Sequence, residues 1–277
     1  MSFLPALPLT GYAGWNLLQR TDEAQRANFE RSPEMQRDIA YFKENIAAAD
    51  TPEKLVADRR LLKVALGAFG LDEKLTHRAY MRKVLEEGSE NPEAFANKIS
   101  DPSFAQMAKA FGYGNLAGTN VRLSDFAASI TEAYQTRQYE RAVGEVDDTM
   151  RLALNFKREM ANYTSGSSIS VQWFKLMGNK PLREILETGL GLPSEIGNIK
   201  DVDRQQSLFR NAASKLFGSD DPAVMAQPEN VEIILRNYFA RDAASRGPGP
   251  MTPGYGALTL LQNASSAWQN LLNLSRS

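Results

Sequence analysis

Apolar positions along the chain recur in steps of three, four and seven. Met35, Ile39, Phe42 and Ile46 follow Pro33. Leu55, Leu62, Leu66 and Phe69 follow Pro52, and Phe104, Met107, Ala108 and Phe111 follow Pro102. Such steps put each set on one face of a 3.6-period helix. Many of the prolines stand directly after a capping residue: Ser32-Pro33, Thr51-Pro52, Asn91-Pro92, Asp101-Pro102 and Asp221-Pro222. Proline at the first helical position loses nothing, because that N–H has no intrahelical partner. The side chain before it can accept a hydrogen bond from the first turn. These pairs therefore predict helix starts. Gly70 and Gly112 follow the last apolar positions of their runs, where a left-handed cap is expected. Only Ser168 to Phe174 alternates like a strand, and one such segment cannot make a sheet. The pattern predicts an all-α, multi-helical body.

The segment from Ser124 to Asn162 lacks proline and has one glycine, Gly144. It carries Phe126, Ile130, Ala133, Tyr134, Val143, Met150 and Leu154. It reads either as one long helix connecting two halves or as two helices joined near Gly144. The single-helix version would be roughly 55 Å long.

The two halves resemble each other. Tyr41-Phe42-Lys43-Glu44-Asn45-Ile46 is echoed by Asn155-Phe156-Lys157-Arg158-Glu159-Met160. The run Leu62 to Leu71 is echoed by Leu182 to Leu192 with one residue inserted. Gly88-Ser89-Glu90-Asn91-Pro92 is echoed by Gly218-Ser219-Asp220-Asp221-Pro222. Matched blocks in the same order predict a body of two related helical halves. The division read from this is an N-terminal arm over 1–20, a first helical repeat over 21–122, the long helix with a second repeat over 123–245, and a tail over 246–277.

Both ends offer candidate partner-binding residues. Tyr12, Trp15 and Leu18 sit around Gly11 and Gly14, either packed on the core or held for a partner. At the other end, Ser245 to Gly254 is rich in glycine and proline and reads as a linker. Beyond it Leu258, Leu261, Trp268, Leu271 and Leu272 form an apolar stripe on a neutral helix. Such a helix either docks back on the body or enters a partner's groove.

Composition narrows the chemistry. Among 277 residues, 32 are Lys or Arg and 33 Asp or Glu, a net charge of −1, which weighs against a general nucleic-acid binder. Cysteine is absent and His77 is the only histidine. Disulfide scaffolds, thiolate metal sites, cysteine nucleophiles and His-rich metal centres are thereby excluded. No apolar run approaches the ~20 residues of a membrane span, and the start, with Pro5 and Pro8 and no positive region, does not read as a secretory signal. The expected location as synthesised is cytoplasmic. There is no phosphate-binding Gly-x-x-x-x-Gly-Lys loop, and Gly112-Tyr113-Gly114-Asn115 with Gly118 reads as a helix-ending loop. His77 between Lys74 and Arg78 reads as a surface residue. Asp220-Asp221 before Pro222 reads as capping, and Arg59, Arg60 and Lys63 beside Asp58 as a solvated helix face. No catalytic residue, cofactor or metal site is expected.

The stretches Gly11 to Thr21 and Phe29 to Phe42, with Ala57-Asp58-Arg59-Arg60-Leu61-Leu62-Lys63-Val64-Ala65-Leu66 and Phe69-Gly70-Leu71, resemble a bacterial family known as a domain of unknown function (DUF1217-like). The resemblance runs from about residue 10 to about residue 245. It implies an all-helical fold. It also implies a flagellar role, because members are often encoded among flagellar genes in alphaproteobacteria. The reading that results is a non-enzymatic flagellum-associated protein acting through protein partners. The alternatives are a cytosolic export chaperone or assembly regulator and, further off, a hydrolase using paired carboxylates.

Overall fold

A computed structural model of the chain describes residues 3–99, 101–164 and 167–246. Fourteen α-helices and four short 3₁₀ turns make up its regular structure, and no strand occurs among the described residues. The first half holds α1 (Gly11–Glu30), α2 (Pro33–Asn45), α3 (Pro52–Ala57), α4 (Arg59–Gly67), α5 (Arg78–Glu86), α6 (Phe95–Lys98) and α7 (Pro102–Phe111). The second holds α8 (Phe126–Val146), α9 (Asp148–Glu159), α10 (Ile169–Gly178), α11 (Lys180–Leu190), α12 (Val202–Phe217), α13 (Pro222–Met225) and α14 (Pro228–Arg246).

The predicted starts are made by the expected chemistry. Asp101 accepts from the Ser103 N–H at 2.9 Å, Asp221 from the Ala223 N–H at 2.8 Å, and Thr51 from the Lys54 N–H at 3.4 Å. Ser32 makes no such bond, yet Pro33 still opens α2. Asn91-Pro92 opens a turn instead: Asn91 accepts from the Glu93 N–H at 2.9 Å, and α6 begins only at Phe95. Ser168 caps α10 through the Val171 N–H, so the alternating stretch Ser168–Phe174 is helical. The alternating apolar residues do not share one face there: Trp173 is buried, while Val171 is exposed.

The single long helix does not form. The chain breaks at Asp147, which lies in extended geometry (φ −147°) and accepts from the Thr149 backbone N–H at 3.0 Å. An N-cap of this kind is worth about 1 kcal/mol. The result is an antiparallel hairpin of α8 and α9. Gly144 permits it: a Cβ there would lie 2.5 Å from the Arg151 Cδ across the turn. The hairpin stands between the two halves, with α8 against α2 and α4 and α9 against α11 and α14. The buried apolar side chains form one continuous cluster from Trp15 to Phe239. Helix α1 runs unbroken across positions 20 and 21 and packs on α14.

The matched segments share local geometry. Asp58 ends α3 and caps α4 with φ −87° and ψ 106°. Asn179 ends α10 and caps α11 with φ −87° and ψ 104°. Helix α4 closes on Gly70 (φ 73°), with the Leu71 N–H donating to Leu66 O at 2.9 Å. Helix α11 closes on Gly191 (φ 75°), with the Leu192 N–H donating to Glu187 O at 2.8 Å. Both closures are six-to-one bonds around a left-handed glycine.

Helices α11 and α14 meet most closely at Gly189. A Cβ built there would stand 2.6 Å from Ile234 Cγ2 and 2.9 Å from the Ile234 carbonyl oxygen. Replacing Gly189 by Val must push the two helices apart. We expect a loss of about 2–3 kcal/mol in urea denaturation, with the helical circular dichroism retained at low denaturant.

Candidate functional site

The N-terminal candidates lie inside the body. Trp15 and Leu18 are fully buried, and Tyr12 is half-buried. Helix α1 turns this face onto α14, where Trp15 meets Phe239 at 5.9 Å between ring centroids. One carboxylate collects the polar atoms of that face. Glu232 accepts from the Tyr12 hydroxyl at 2.9 Å, the Trp15 indole N–H at 3.4 Å and the Gln19 amide at 3.3 Å. Burial and the bond to Glu232 raise the Tyr12 hydroxyl pKa. Of the two readings of Tyr12, Trp15 and Leu18, the described structure has the packed one, with Trp15 and Leu18 removed from water against the body. Leu258, Leu261, Trp268 and Leu272 lie outside the described residues.

A cleft of about 820 Å³ opens between the halves. Its walls come from Gly70 and Asp72 after α4, the start of α7 at Asp101 to Gln106, and the start of α11 at Asn179 to Pro181. Its floor is the α8–α9 hairpin, through Arg137, Glu140, Arg151, Asn155 and Glu159. The charged groups of the floor are engaged with one another. Arg158 holds Glu140 with two bonds of 2.7 and 2.9 Å and also reaches Glu159. Arg137 donates to Glu159 at 3.0 Å, and the Asn162 amide donates to the other Glu159 oxygen at 3.0 Å. Burial by itself would push the Glu159 carboxyl up. Arg158, the Asn162 bond and Arg137 together hold it below its usual value. Burial, with Arg158 close by, lowers the Arg137 pKa.

This arrangement ties α8 to α9 and keeps the Glu159 carboxyl ionised by its neighbours. One carboxyl is displaced upward, that of Glu184 on α11. Burial does this, helped by Asp148, and Arg151 opposes it. Glu184 is not among the residues lining the cleft. No group of three or more His, Asp or Glu is placed to hold a metal among the described residues. No described helix is long and apolar enough to cross a membrane.

The remaining sequence candidates fall where they were expected. His77 is exposed at the start of α5. Lys63 pairs with Asp38 at 2.7 Å and Glu34 at 3.2 Å, and the Arg60 guanidinium lies 3.7 Å over the Tyr41 ring. Gly112 is the left-handed cap of α7. Three features escaped the sequence reading: the Glu232 clamp, the Arg–Glu network, and the path of residues 3–10. The first two had a signal. Glu232 sits beside Val231 among the apolar positions of α14, and Glu140 lies one turn from the buried Val143.

Comparison with known proteins fits this all-helical geometry. The model of the family described as Protein of unknown function (DUF1217) matches residues 68–225, more than half of the chain. The chain belongs to this family. The DUF1217 match spans the hairpin and both walls of the cleft. In three dimensions the chain is similar to a protein of Agrobacterium tumefaciens of known crystal structure. The two are 24% identical, with a TM-score of 0.70 over 88% of this chain and 100% of that one. At that identity the likeness shows the fold alone. No curated protein matches the chain.

The network generates a pH-dependent prediction. Glu159 has a folded-state pKa below its unfolded value, so its stabilisation is complete above the unfolded value, near 4.5, and is lost as pH falls through the folded one. Replacing Glu159 by Gln leaves two half-buried guanidinium groups short of a charge partner. We expect a loss of about 2 kcal/mol or more at pH ~7. The gap between variant and wild type should shrink at pH ~3, where the wild-type carboxyl is protonated. Urea denaturation at the two pH values reads both quantities.

Proposed function

We propose that this DUF1217 protein is a non-enzymatic, flagellum-associated helical protein that works through protein–protein contacts. Its body is read as two related halves joined by the α8–α9 hairpin. The shared caps at Asp58 and Asn179, and the shared closures at Gly70 and Gly191, support that duplication. The resemblance to a family encoded among flagellar genes supports the cellular setting.

The observation that carries the interaction reading is the loop between α7 and α8. Its Leu116 is fully exposed, at 101% of the reference area, and Leu123 farther along the loop is more than half exposed. Single exposed leucines are ordinary on a loose loop. This loop is held. A Cβ on Gly114 would lie 2.3 Å from both Glu86 O and the Gly88 nitrogen, so the backbone of the loop rests directly on the turn after α5. Asn115 accepts from the Ser89 N–H at 3.0 Å, and the Leu116 N–H donates to Glu90 at 3.0 Å. The leucine is thus presented on a held backbone, so docking costs little further backbone entropy.

The test is fractionation of flagellated cells making tagged protein. The expected result is co-purification with filament, hook or basal body. Leu116→Glu should weaken that association at least tenfold while shifting the melting temperature by less than about 2 °C, as for a surface change. A chain ending at Arg246 is expected to keep a cooperative melting transition, because the described residues already share one continuous buried core. Wild-type protein found only in the cytosol would sink the structural-component reading and favour the export chaperone or assembly regulator.

A further inference from the structure

Residues 3–10 run back along α1 as a strap, with Phe3 against Phe29 and Ala6 beside Gln25. One side chain reads the strap backbone. The Gln25 amide oxygen accepts from the Ala6 N–H at 2.8 Å, and the same amide donates to the Ala6 carbonyl at 3.3 Å. A primary amide carries a donor and an acceptor side by side. Its full complement is a group with the same pair reversed, such as the two main-chain groups of a residue or another amide. Gln25 has found that complement within its own chain.

Asn155 has not. It lies on the floor of the cleft between the halves. Arg151, Asn155 and Glu159 fall one turn apart on α9 and form a row along that floor. The outer two are taken: Arg151 holds Asp148 at 2.6 Å, and Glu159 is held by Arg137 and Arg158. Between them the Asn155 side-chain oxygen is shut off from water and accepts from nothing. A buried acceptor left bare costs stability, and leucine would occupy the same position without that cost. The rest of the cleft narrows what could meet it. Its volume is within the range of ligand sites, roughly 300–1,000 Å³. Phe69, Ile99, Pro102 and Pro181 add apolar surface to its walls. The charges of the floor are already paired. A charged ligand reaching it would compete with those pairs, whereas a neutral one leaves them intact.

We propose that the cleft is a binding site for an uncharged amide, and that Asn155 is the group that reads it. The ligand's N–H donates to the bare Asn155 oxygen, and its carbonyl accepts from the Asn155 nitrogen. The apolar walls take the substituents on either side. That chemistry is carried by the main chain of an extended protein segment and by a small carboxamide. The site is separate from the α7–α8 loop, and it stands independently of the flagellar setting.

The test is a titration of the full-length, nitrogen-15-labelled chain, followed by NMR at the Asn155 side-chain amide. That resonance is assigned by its loss in Asn155→Leu. The probes are trialanine blocked at both ends, propionamide and glucose, all uncharged. The expected result is a saturable shift with blocked trialanine or propionamide and none with glucose. Tighter binding of the peptide identifies a protein segment as the source of the amide, and equal binding identifies a small carboxamide. Asn155→Leu, read by calorimetry, should bind the same probe at least about tenfold more weakly. Its melting temperature should hold or rise, because the bare acceptor is gone. Leu116→Glu should leave the binding unchanged, which keeps this site distinct from the loop. Three outcomes overturn the proposal. One is the absence of a saturable shift with either amide, which would mean that solvent alone serves Asn155. Another is undiminished binding by Asn155→Leu, which would place the probe elsewhere. The third is glucose binding as tightly as the amides, which would mean a polar cleft with no preference for an amide.

Discussion

The fold depends on the turn at Asp147. A continuous helix from Phe126 to Glu159 would hold the two halves apart as separate bodies. Broken there, the same residues fold back and offer one face to each half. Three local features make the break. Asp147 supplies a cap, Gly144 removes the Cβ that Arg151 would strike, and the Arg–Glu network fastens the two arms. The network is the strongest of the three and also the most conditional. Buried ion pairs contribute little against a well-packed apolar alternative, but breaking one is expensive because a charge is left stranded. Arg158 and Glu159 therefore act less as a source of stability than as a penalty on any arrangement that separates α8 from α9.

That penalty shapes the cleft. The floor is made of charges engaged with partners on the two arms of the hairpin. Its carboxylate at Glu159 is held low by its neighbours, the opposite of what a general acid at neutral pH requires. The chemistry gathered at the centre of the molecule serves the hairpin.

Much of the fold was legible in the chain because helix signals are local. Proline after a capping residue, and apolar positions every three or four, gave α2, α3 and α7 their starts. Gly70 and Gly112 gave the left-handed closures of α4 and α7. The reading stopped where an outcome depended on partners far along the chain. Nothing near Asp147 distinguishes a helix-breaking cap from an exposed mid-helix carboxylate, until Arg158 and Glu159 are seen to meet Glu140 and Arg137. Trp15 and Leu18 looked equally suited to core or partner, because a buried face and a docking face share one composition. Glu232, more than two hundred residues away, decides between them by accepting from Tyr12, Trp15 and Gln19. At Asn91-Pro92 the local signal was real but short: an Asx turn and a helix cap begin with the same bond.

The strap shows a different limit. Periodicity finds helices because a helix repeats its environment, whereas an extended segment of eight residues with two prolines repeats almost nothing. Its alternation of Phe3, Pro5 and Leu7 has meaning only against the side of α1 that receives it. The same holds for Gly11. In the fold Gly11 has a left-handed backbone (φ +62°), and Gly14 lacks the Cβ that would strike the Leu9 carbonyl oxygen. Both glycines take their meaning from the segment that folds back on the helix they open, and that segment is legible only once the fold has placed it.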